Sequence, residues 1–157
     1  MSEREIRVGI ISDTHGLLRP QAIEALRGSE VIIHAGDVGK PNIIQELRRI
    51  APVFAVRGNV DNQAWAMALP ITECVEVGAQ SFWVIHEIAQ LDIEPLAAGI
   101  AAVVFGHSHK PLIETRGGIL YINPGSAGPR RFALPVSVAR ALVSGEKIRA
   151  EIVELDV

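Results

Sequence analysis

"IRVGIISDTHG", residues 6–16, is a short apolar run that ends abruptly in an aspartate and a histidine. Four later runs share its length and its richness in small aliphatic residues, and the five together are Ile6–Ser12, Val31–Ala35, Val53–Val56, Phe82–Ile85 and Ala101–Phe105. Nearly continuous runs of this kind are typical of strands that are covered on both faces. The sequence therefore predicts a largely buried sheet.

Helical spacing of apolar residues separates the first three runs. It covers Pro20–Leu26 and Pro41–Ile50, and each segment opens with a proline, which suits the first turn of a helix. A strand–helix–strand–helix–strand order predicts parallel strands joined by right-handed crossovers. Their carboxyl ends would then lie along one edge.

Hairpins are predicted further along the chain. Residues 71–77 and 81–87 flank "GAQ", and residues 136–143 and 147–155 flank "SGE". We expect a parallel-rich half followed by antiparallel strands, in two sheets packed together with helices outside. No linker or repeat interrupts residues 1–157, so a single domain is expected, and the stretch "NPGSAGPRR" is interpreted as a loop.

Composition excludes several classes of protein. Hydrophobic residues make up 48% of the 157 residues and the net charge is -3, which disfavours both disorder and general binding to nucleic acid. No run approaches the roughly 18 apolar residues of a membrane helix, so a cytoplasmic protein without membrane partners is expected. Cys74 is the only cysteine, and its position in an apparent strand predicts a buried, inert thiol.

Each of the five predicted strands listed above is followed closely by Asp, Asn or His. Ligands in open α/β sheets bind in the crevice at the carboxyl ends of the strands, so these side chains should converge there. The converging set is Asp13, His15, Asp37, Asn59, His86, His107 and His109.

Seven nitrogen and oxygen donors exceed the needs of one tetrahedral ion but suit two ions about 3.5–4 Å apart that share a carboxylate. Asp37 is the natural bridge. Imidazole mixed with carboxylate and amide favours Mn, Fe, Co, Ni or Zn over Mg or Ca. Such a pair lowers the pKa of a bridging water and neutralises charge on a phosphoryl group, which indicates hydrolysis.

Each ending by itself has an ordinary structural explanation. Asp-x-His is compatible with a helix cap, Gly-Asp and Gly-Asn with turns, and a lone His86 with a hydrogen-bonded core side chain. The combination of all five endings is what favours a metal site.

In this order, the motifs D-x-H, G-D, G-N-x-D, H and G-H-x-H resemble those of the calcineurin-like metallophosphoesterase superfamily. The "NPGS" at Asn123–Ser126, the small size, and "GNVD" in place of "GNH" are similar to the small bacterial and archaeal phosphodiesterase branch. The resemblance implies a four-layer αββα sandwich of two mixed sheets flanked by helices.

The resemblance also implies a ligand set and a reaction. One ion would be held by Asp13, His15, Asp37 and His109, and the other by Asp37, Asn59, His86 and His107. The family hydrolyses phosphoesters, usually with Mn or a similar divalent ion, so we expect two divalent ions, with Mn favoured over Zn, Fe, Ni or Co. We expect Asp37, Asn59 and His86 to serve in catalysis as well as in metal binding.

Two positions depart from the family pattern. Val60 stands where many relatives have a histidine that protonates the leaving group, which favours phosphodiesters or activated aryl esters over simple monoesters. Glu87 stands where relatives usually have glycine, and its carboxylate would crowd the site, repel phosphate, or hydrogen-bond a ligand. Whether both changes leave full activity is open at this point.

Other polar residues near the motifs have two interpretations each. Arg57 either binds a substrate phosphate or forms an ion pair with Asp61, and Ser126 either approaches substrate or serves a turn. Asp61 is expected to cap or support its neighbours, and His34 to be a hydrogen-bonded core residue rather than a ligand.

The leading interpretation is a metal-dependent phosphodiesterase that acts on a small phosphodiester or activated phosphoester. The alternative is a non-catalytic metal-binding scaffold of the same fold, as the small subunit of the eukaryotic retromer complex resembles these enzymes. The intact set of seven ligands favours the enzyme. The sequence leaves open the physiological substrate, the metal and a homo-oligomeric state.

Overall fold

Two five-stranded sheets form the centre of the protein, and the computed structural model describes residues 4–157. The first sheet has the order β10-β9-β1-β2-β3, with β1, β2 and β3 parallel and β9 antiparallel to both β1 and β10. Its strands are β1 (Glu5–Ile11), β2 (Val31–His34), β3 (Val53–Ala55), β9 (Ser137–Ser144) and β10 (Lys147–Glu154).

The second sheet has the order β4-β5-β6-β8-β7. Strands β5, β6 and β8 are parallel, and hairpins add β4 to β5 and β7 to β8. Its strands are β4 (Thr72–Val77), β5 (Gln80–Ile85), β6 (Ala102–Val104), β7 (Leu112–Arg116) and β8 (Ile119–Asn123). Each sheet thus has three parallel strands whose carboxyl ends are available to one site.

The main core lies between the two sheets. Alternate residues of β1, such as Val8 and Ile10, face Phe82 and Val84 of β5, and all four are at most 1% exposed. Burying aliphatic and aromatic side chains of this size contributes about 1.5–3 kcal/mol each. The sandwich therefore holds its strand ends on a rigid base.

Helices cover the outer faces. Helices α1 (Pro20–Leu26) and α2 (Pro41–Leu47) pack on the first sheet through buried residues that include Leu26 and Leu47. The second sheet is covered by residues 88–100, which contain a 3₁₀-helix (Ile88–Gln90) and turns. Another 3₁₀-helix spans Ala64–Ala68. The predicted four-layer sandwich is confirmed, although a short 3₁₀-helix and turns form the outer layer over the second sheet.

The predicted parallel unit and both predicted hairpins are present. One helix is shorter than predicted, and one hairpin was not predicted. Helix α2 ends at Leu47, before the predicted Ile50, because the amides of Arg49 and Ile50 donate to carbonyls three residues back, as in a 3₁₀ turn. Strands β7 and β8 form a further hairpin around Gly117 and Gly118, whose φ angles are 56° and 81°. Such a glycine pair is the usual sequence of a two-residue hairpin turn.

Cys74 lies on the surface, so the expectation of a buried thiol is wrong. Side chains alternate along β4, and Val75 and Val77 take the buried face. Since β4 is the edge strand of the second sheet, little covers the opposite face, where Cys74 lies.

Among residues 4–157, no helix is long and apolar enough to cross a membrane.

Candidate metal centre

The predicted ligands gather where the carboxyl ends of the six parallel strands meet. Asp13 and His15 follow β1, Asp37 follows β2, and Asn59 follows β3 in the first sheet. His86 follows β5, and both His107 and His109 follow β6 in the second sheet. The site therefore takes its side chains from both sheets.

The backbone is left-handed at five of these residues. Values of φ between 47° and 72° occur at Asp13, His15, Asp37, His107 and His109, and in the described chain only one other non-glycine residue has a positive φ. Such conformations cost of order 1–3 kcal/mol each and persist only where the surroundings enforce them. Their concentration at the strand ends turns these side chains into one crevice and points to a functional site.

Loop-to-loop hydrogen bonds enforce that backbone. The amides of Asp13 and His15 donate to the carbonyls of Gly36 and Asp37, both at 2.9 Å. The glycines before Asn59 and His107 also permit close packing. A Cβ on Gly58 would collide with Asp37, and one on Gly106 would collide with Ser12 and Asp13.

Each of the two aspartates has one oxygen held by the protein and one directed into the crevice. Asp13 Oδ2 accepts from Ser12 Oγ at 2.6 Å and from the His107 amide at 3.1 Å, while Asp37 Oδ1 accepts from the Val60 amide at 2.9 Å. Asp13 Oδ1 is buried without a hydrogen-bond partner among residues 4–157. The two carboxylates are thus oriented before any ligand arrives.

Imidazole nitrogens surround those oxygens. Asp13 Oδ1 lies 3.3 Å from His109 Nε2 and 3.7 Å from His15 Nε2. Asp37 Oδ2 lies 3.2 Å from His86 Nε2 and 3.7 Å from His15 Nε2. In the described chain, Asp13, His15 and His109 form one compact group of ligand atoms, and Asp13, Asp37 and His86 form another.

Asn59 joins His86 to the fourth imidazole, His107. Its Oδ1 lies 2.9 Å from His86 Nε2 and 3.2 Å from His107 Nδ1. Unlike His86 and His109, which are 3% exposed, His107 is exposed, and its second nitrogen, Nε2, lies 3.4 Å from Glu87 Oε1. The structure therefore brings all seven predicted ligands together.

The hydrogen bonding of His86 shows why these atoms fit a cation. His86 Nδ1 lies 2.7 Å from the Ala35 carbonyl, which can only accept, so Nδ1 carries the proton of the neutral ring and Nε2 carries the lone pair. That lone pair faces the oxygens of Asp37 and Asn59. Acceptors this close repel one another unless a proton or a metal lies between them, and a ring whose other N–H donates to a carbonyl is typical of metal-binding histidines.

Charges in the crevice alter the pKa values of its members. Burial by itself would raise the pKa of Asp13, but the neighbouring imidazoles of His109 and His15 outweigh burial and lower it. The pKa of Asp37 is also lowered, because His86 and the Val60 amide outweigh the effect of burial. The pKa of His15 is raised, chiefly by Asp13, and that of His86 is raised because Asp37 and Asp13 outweigh burial. Both carboxylates are therefore ionised at neutral pH.

Ser126 lies behind the crevice. Its hydroxyl donates to the Asp13 carbonyl at 3.0 Å, and the residue is 4% exposed. Ser126 therefore holds the Asp13 backbone, and its contact with substrate stays a prediction.

Arg57 and Asp61 do not pair with each other. The Asp61 carboxylate accepts from the amides of Val38, Gly39 and Gly58, each at 3.0 Å, and so fixes the loops that carry Asp37 and Asn59. The Arg57 Nε donates to the Leu69 carbonyl at 3.1 Å, beside the site. Asp61 thus supports the crevice, as expected, and Arg57 lies beside it without a partner carboxylate in the described part of the chain.

His34 is a core residue, as its sequence context predicted. Its Nδ1 accepts from the Gly36 amide at 3.1 Å, so Nε2 carries the proton and donates to Thr14 Oγ1 at 3.0 Å. Complete burial lowers the pKa of His34 to about 4. The neutral ring therefore links the loops that carry Asp13 and Asp37.

Sequence reasoning missed Ser12 and Asn123 as supports of the site. Asn123 is buried, and its Nδ2 donates to the Gly106 carbonyl and to Ser108 Oγ, both at 3.1 Å. The signal was the polar residue at the end of an otherwise apolar strand, the same signal that revealed the ligands. It cannot separate a ligand from a residue that holds a ligand loop.

A larger cavity than the one beside the predicted ligands lies elsewhere on the protein. A space of about 430 Å³ lies on the outer face of the first sheet and is lined by four arginines. Arg27 and Arg140 already pair with Glu24 and Glu151 at 2.7 and 2.8 Å. The groove beside the ligands is smaller, about 280 Å³, but Asn59 and His86 line it.

A sequence model of the calcineurin-like phosphoesterase superfamily domain matches residues 6–146. The chain is 35% identical to a probable metallophosphoesterase of Methanothermobacter thermautotrophicus, over 93% of this chain and 91% of that protein. It is 31% identical to the phosphodiesterase YfcE of Escherichia coli, over 80% of this chain and 82% of that protein.

Solved structures share the fold. An archaeal phosphodiesterase superposes with a TM-score of 0.77 at 24% identity, covering 94% of this chain and all of that one. Vacuolar Protein Sorting 29 from Cryptosporidium parvum superposes with a TM-score of 0.76 at 18% identity, covering 96% and 98%. At these identities the likeness concerns the fold alone.

Proposed function

The chain belongs to the calcineurin-like phosphoesterase superfamily, and from that premise we propose that it hydrolyses small phosphodiesters with the help of two divalent ions. The observation that carries the proposal is the convergence of two ionised carboxylates, four imidazoles and one amide oxygen on a single crevice. When bound, the ions would supply Lewis acidity and an activated water.

The two ions would be held by overlapping sets of ligands. Asp13, His15 and His109 form one group, and His86, Asn59 and His107 form the other. Asp37 Oδ2 is within 3.7 Å of both His15 and His86, which supports its assignment as the shared ligand. Asp13 also approaches His86, at 3.8 Å, so its carboxylate stabilises positive charge on both sides.

The chain's own residues would orient the reactants. Asp37 and His86 fix the position at which water attacks, because the Val60 amide and the Ala35 carbonyl hold them. Asn59 would contact the phosphoryl oxygens from the floor of the groove, where Arg57 offers a cation at its side. Positioning of this kind is a main source of rate enhancement in phosphoryl transfer.

Manganese fits this set of donors. Imidazole mixed with carboxylate and amide oxygens suits Mn, Fe, Co, Ni or Zn, and the family resemblance favours Mn. The substrate would be small, since the groove is about 280 Å³ and the net charge of -3 does not attract long polyanions.

The side chain of Val60 determines which esters react. It is apolar and 39% exposed, and only its amide serves the site. Without an acid at this position, a poor alkoxide leaves slowly, whereas an aryloxide leaves without a proton. We therefore expect a preference for aryl phosphodiesters over simple monoesters.

Hydrolysis of bis-p-nitrophenyl phosphate and p-nitrophenyl phosphate tests the preference. The Mn-loaded protein should hydrolyse the diester with the higher kcat/KM, and Val60→His should raise hydrolysis of an alkyl ester such as glycerol 2-phosphate relative to hydrolysis of the aryl diester. Val60→Ala is the matched control, which should leave that ratio unchanged. A clear monoester preference in the native chain would overturn the assignment.

The alternative of a metal-binding scaffold has the same fold but weaker support. The fold likeness to Vacuolar Protein Sorting 29 concerns architecture, whereas the relatives of 31% and 35% identity carry the names of phosphodiesterase and metallophosphoesterase. No hydrolysis by the Mn-loaded chain, with Mn binding intact, would favour the scaffold.

A further inference from the structure

A groove leaves the metal centre between two 3₁₀-helices. The metal-centre residues Asn59 and His86 line it, and Arg57, Met67 and Ile71 line it as well. Met67 belongs to the 3₁₀-helix Ala64–Ala68, and Gln90, on the other side, belongs to Ile88–Gln90. A group bonded to a phosphorus at the metal centre would extend into this groove.

Two of the side chains that line the groove are apolar and exposed. Met67 is 50% exposed and Ile71 is 59% exposed, and they are two of only eight large apolar side chains exposed among residues 4–157. Exposed apolar side chains that line a concave surface mark binding sites more often than isolated ones do. The 3₁₀-helix that carries Met67 buries Ala66 and half-buries Trp65, so Met67 lies on the exposed side of a helix that is otherwise packed.

The wall of the groove is fixed by Arg57. Its backbone amide donates to the Pro70 carbonyl at 2.8 Å, its Nε donates to the Leu69 carbonyl at 3.1 Å, and its Nη1 lies 3.0 Å from Met67 Sδ. No carboxylate lies within ion-pair distance of it in the described part of the chain. A guanidinium beside a thioether offers a surface on which an aromatic ring stacks.

Charge disfavours a further anionic group next to the metal ligands. Glu87 lines the end of the groove that is nearest the metal ligands, so a second phosphate or a carboxylate would be repelled there. The groove measures about 280 Å³, close to the lower limit of about 300 Å³ for ligand pockets, which suits a single ring system.

We propose that this groove binds an uncharged aromatic ring on one ester arm of the substrate, so that the protein selects aryl or nucleobase-bearing phosphodiesters over alkyl ones. The inference rests on the proposed function, because it takes the phosphoryl group to lie at the metal centre. Arg57, Met67 and Ile71 are then the residues that determine specificity.

Phosphonates test the groove without hydrolysis, since their P–C bond is stable. Phenylphosphonate and methylphosphonate present the same headgroup with and without a ring, and their binding to the Mn-loaded protein is measured by calorimetry and by inhibition of bis-p-nitrophenyl phosphate hydrolysis. We expect phenylphosphonate to bind about tenfold more tightly, given the apolar area of one ring. Cyclohexylphosphonate should bind more weakly than phenylphosphonate, because it cannot stack.

Variants of the groove residues test whether the tighter binding of phenylphosphonate depends on the groove. Met67→Ala combined with Ile71→Ala should bring the affinity ratio of phenylphosphonate to methylphosphonate close to one while the affinity for methylphosphonate stays unchanged. Leu96→Ala, which removes an exposed apolar side chain outside the groove, should keep the native ratio. Thermal unfolding confirms that each variant is folded.

Two outcomes overturn the proposal. Equal affinity for phenylphosphonate and methylphosphonate in the native chain, or a ratio that survives both groove substitutions, would show that the ring lies elsewhere. Tighter binding of cyclohexylphosphonate than of phenylphosphonate would reject aromatic selection. Failure of every phosphonate to bind, together with absent hydrolysis, would instead refute the proposed function itself.

Discussion

Glu87 Oε1 lies 3.4 Å from Nε2 of His107, while Nδ1 of the same ring lies 3.2 Å from Asn59 Oδ1. A neutral imidazole that donates from Nε2 to the carboxylate presents the lone pair of Nδ1 to the crevice. The Ala35 carbonyl has the corresponding position beside His86. Glu87, a departure from the family pattern, is therefore placed to orient a ligand that is otherwise exposed.

Glu87→Ala should weaken the binding of the Mn ion held by Asn59, His86 and His107 by about 10–100-fold. Hydrogen-bond partners of this kind set the tautomer and basicity of metal-binding histidines. Glu87→Gln should restore part of the loss, since its amide oxygen still accepts a hydrogen bond. Titration with Mn, followed by electron paramagnetic resonance, measures both affinities. Glu94→Gln, an exposed glutamate in the next segment, is the control, and unchanged affinity in Glu87→Ala would exclude an orienting role.

Gly58→Ala should destabilise the protein by about 1–3 kcal/mol, as overpacking does elsewhere. The added methyl group collides with the backbone nitrogen and the carboxylate of Asp37, and neither can move without losing the hydrogen bond from Val60. Urea unfolding without metal measures the change in the free energy of unfolding. Asn62→Ala, a nearby exposed substitution, should have little effect, and an equally small effect of Gly58→Ala would contradict the crowding.

His34 should make the fold sensitive to acid. Its pKa is about 4 in the folded state, below the 6.5 of a free imidazole, so the unfolded chain binds the proton first as the pH falls. The contribution of His34 to the free energy of unfolding is complete above pH 6.5 and is lost as the pH falls toward 4. The loss is about 1.4 kcal/mol per pH unit and roughly 3 kcal/mol in all.

Urea unfolding at several pH values in EDTA measures this contribution. His34→Gln, which retains a donor toward Thr14 but does not titrate, should show a shallower loss of stability between pH 6.5 and 4. Identical slopes for the native chain and the variant would mean that the buried ring does not control acid stability.

Mn should raise the melting temperature, because the ion binds the folded chain and offsets the repulsion between the buried carboxylates of Asp13 and Asp37. At a hundredfold excess over Kd the gain is about 2.7 kcal/mol for one site, or roughly 5–10 °C for a chain of this size. Calorimetry in EDTA and in Mn measures the shift. Asp37→Asn should reduce it, and an equal shift in that variant would place the metal elsewhere.

Much of the site was predictable from the sequence because strand ends have a local signature. An apolar run followed by Asp13 or His107 identifies both a strand and the edge at which it ends, and parallel strands bring such edges together. The left-handed backbone at these residues was not predictable, since it depends on hydrogen bonds between loops that are distant in the chain, such as Asp13 to Gly36.

The parts that escaped prediction depend on tertiary contacts. Ser126 and Arg57 both lie beside motif residues in the sequence, yet the first is buried under Asp13 and the second lines an open groove. The pairing of β9 with β1 likewise joins the last hairpin to the first strand across most of the chain. Local patterns do not contain that information.

Restoration of activity by Mn tests the central claim most directly. Metal is removed from the native chain, from Asp37→Ala and from the exposed-site control Asp92→Ala. Hydrolysis of bis-p-nitrophenyl phosphate is then measured before and after Mn is added. We predict no activity without metal, recovery in the native chain and in Asp92→Ala, and at least a hundredfold lower kcat in Asp37→Ala. Full activity in metal-free protein, or equal recovery in Asp37→Ala, would contradict a metal-dependent phosphodiesterase built on Asp37.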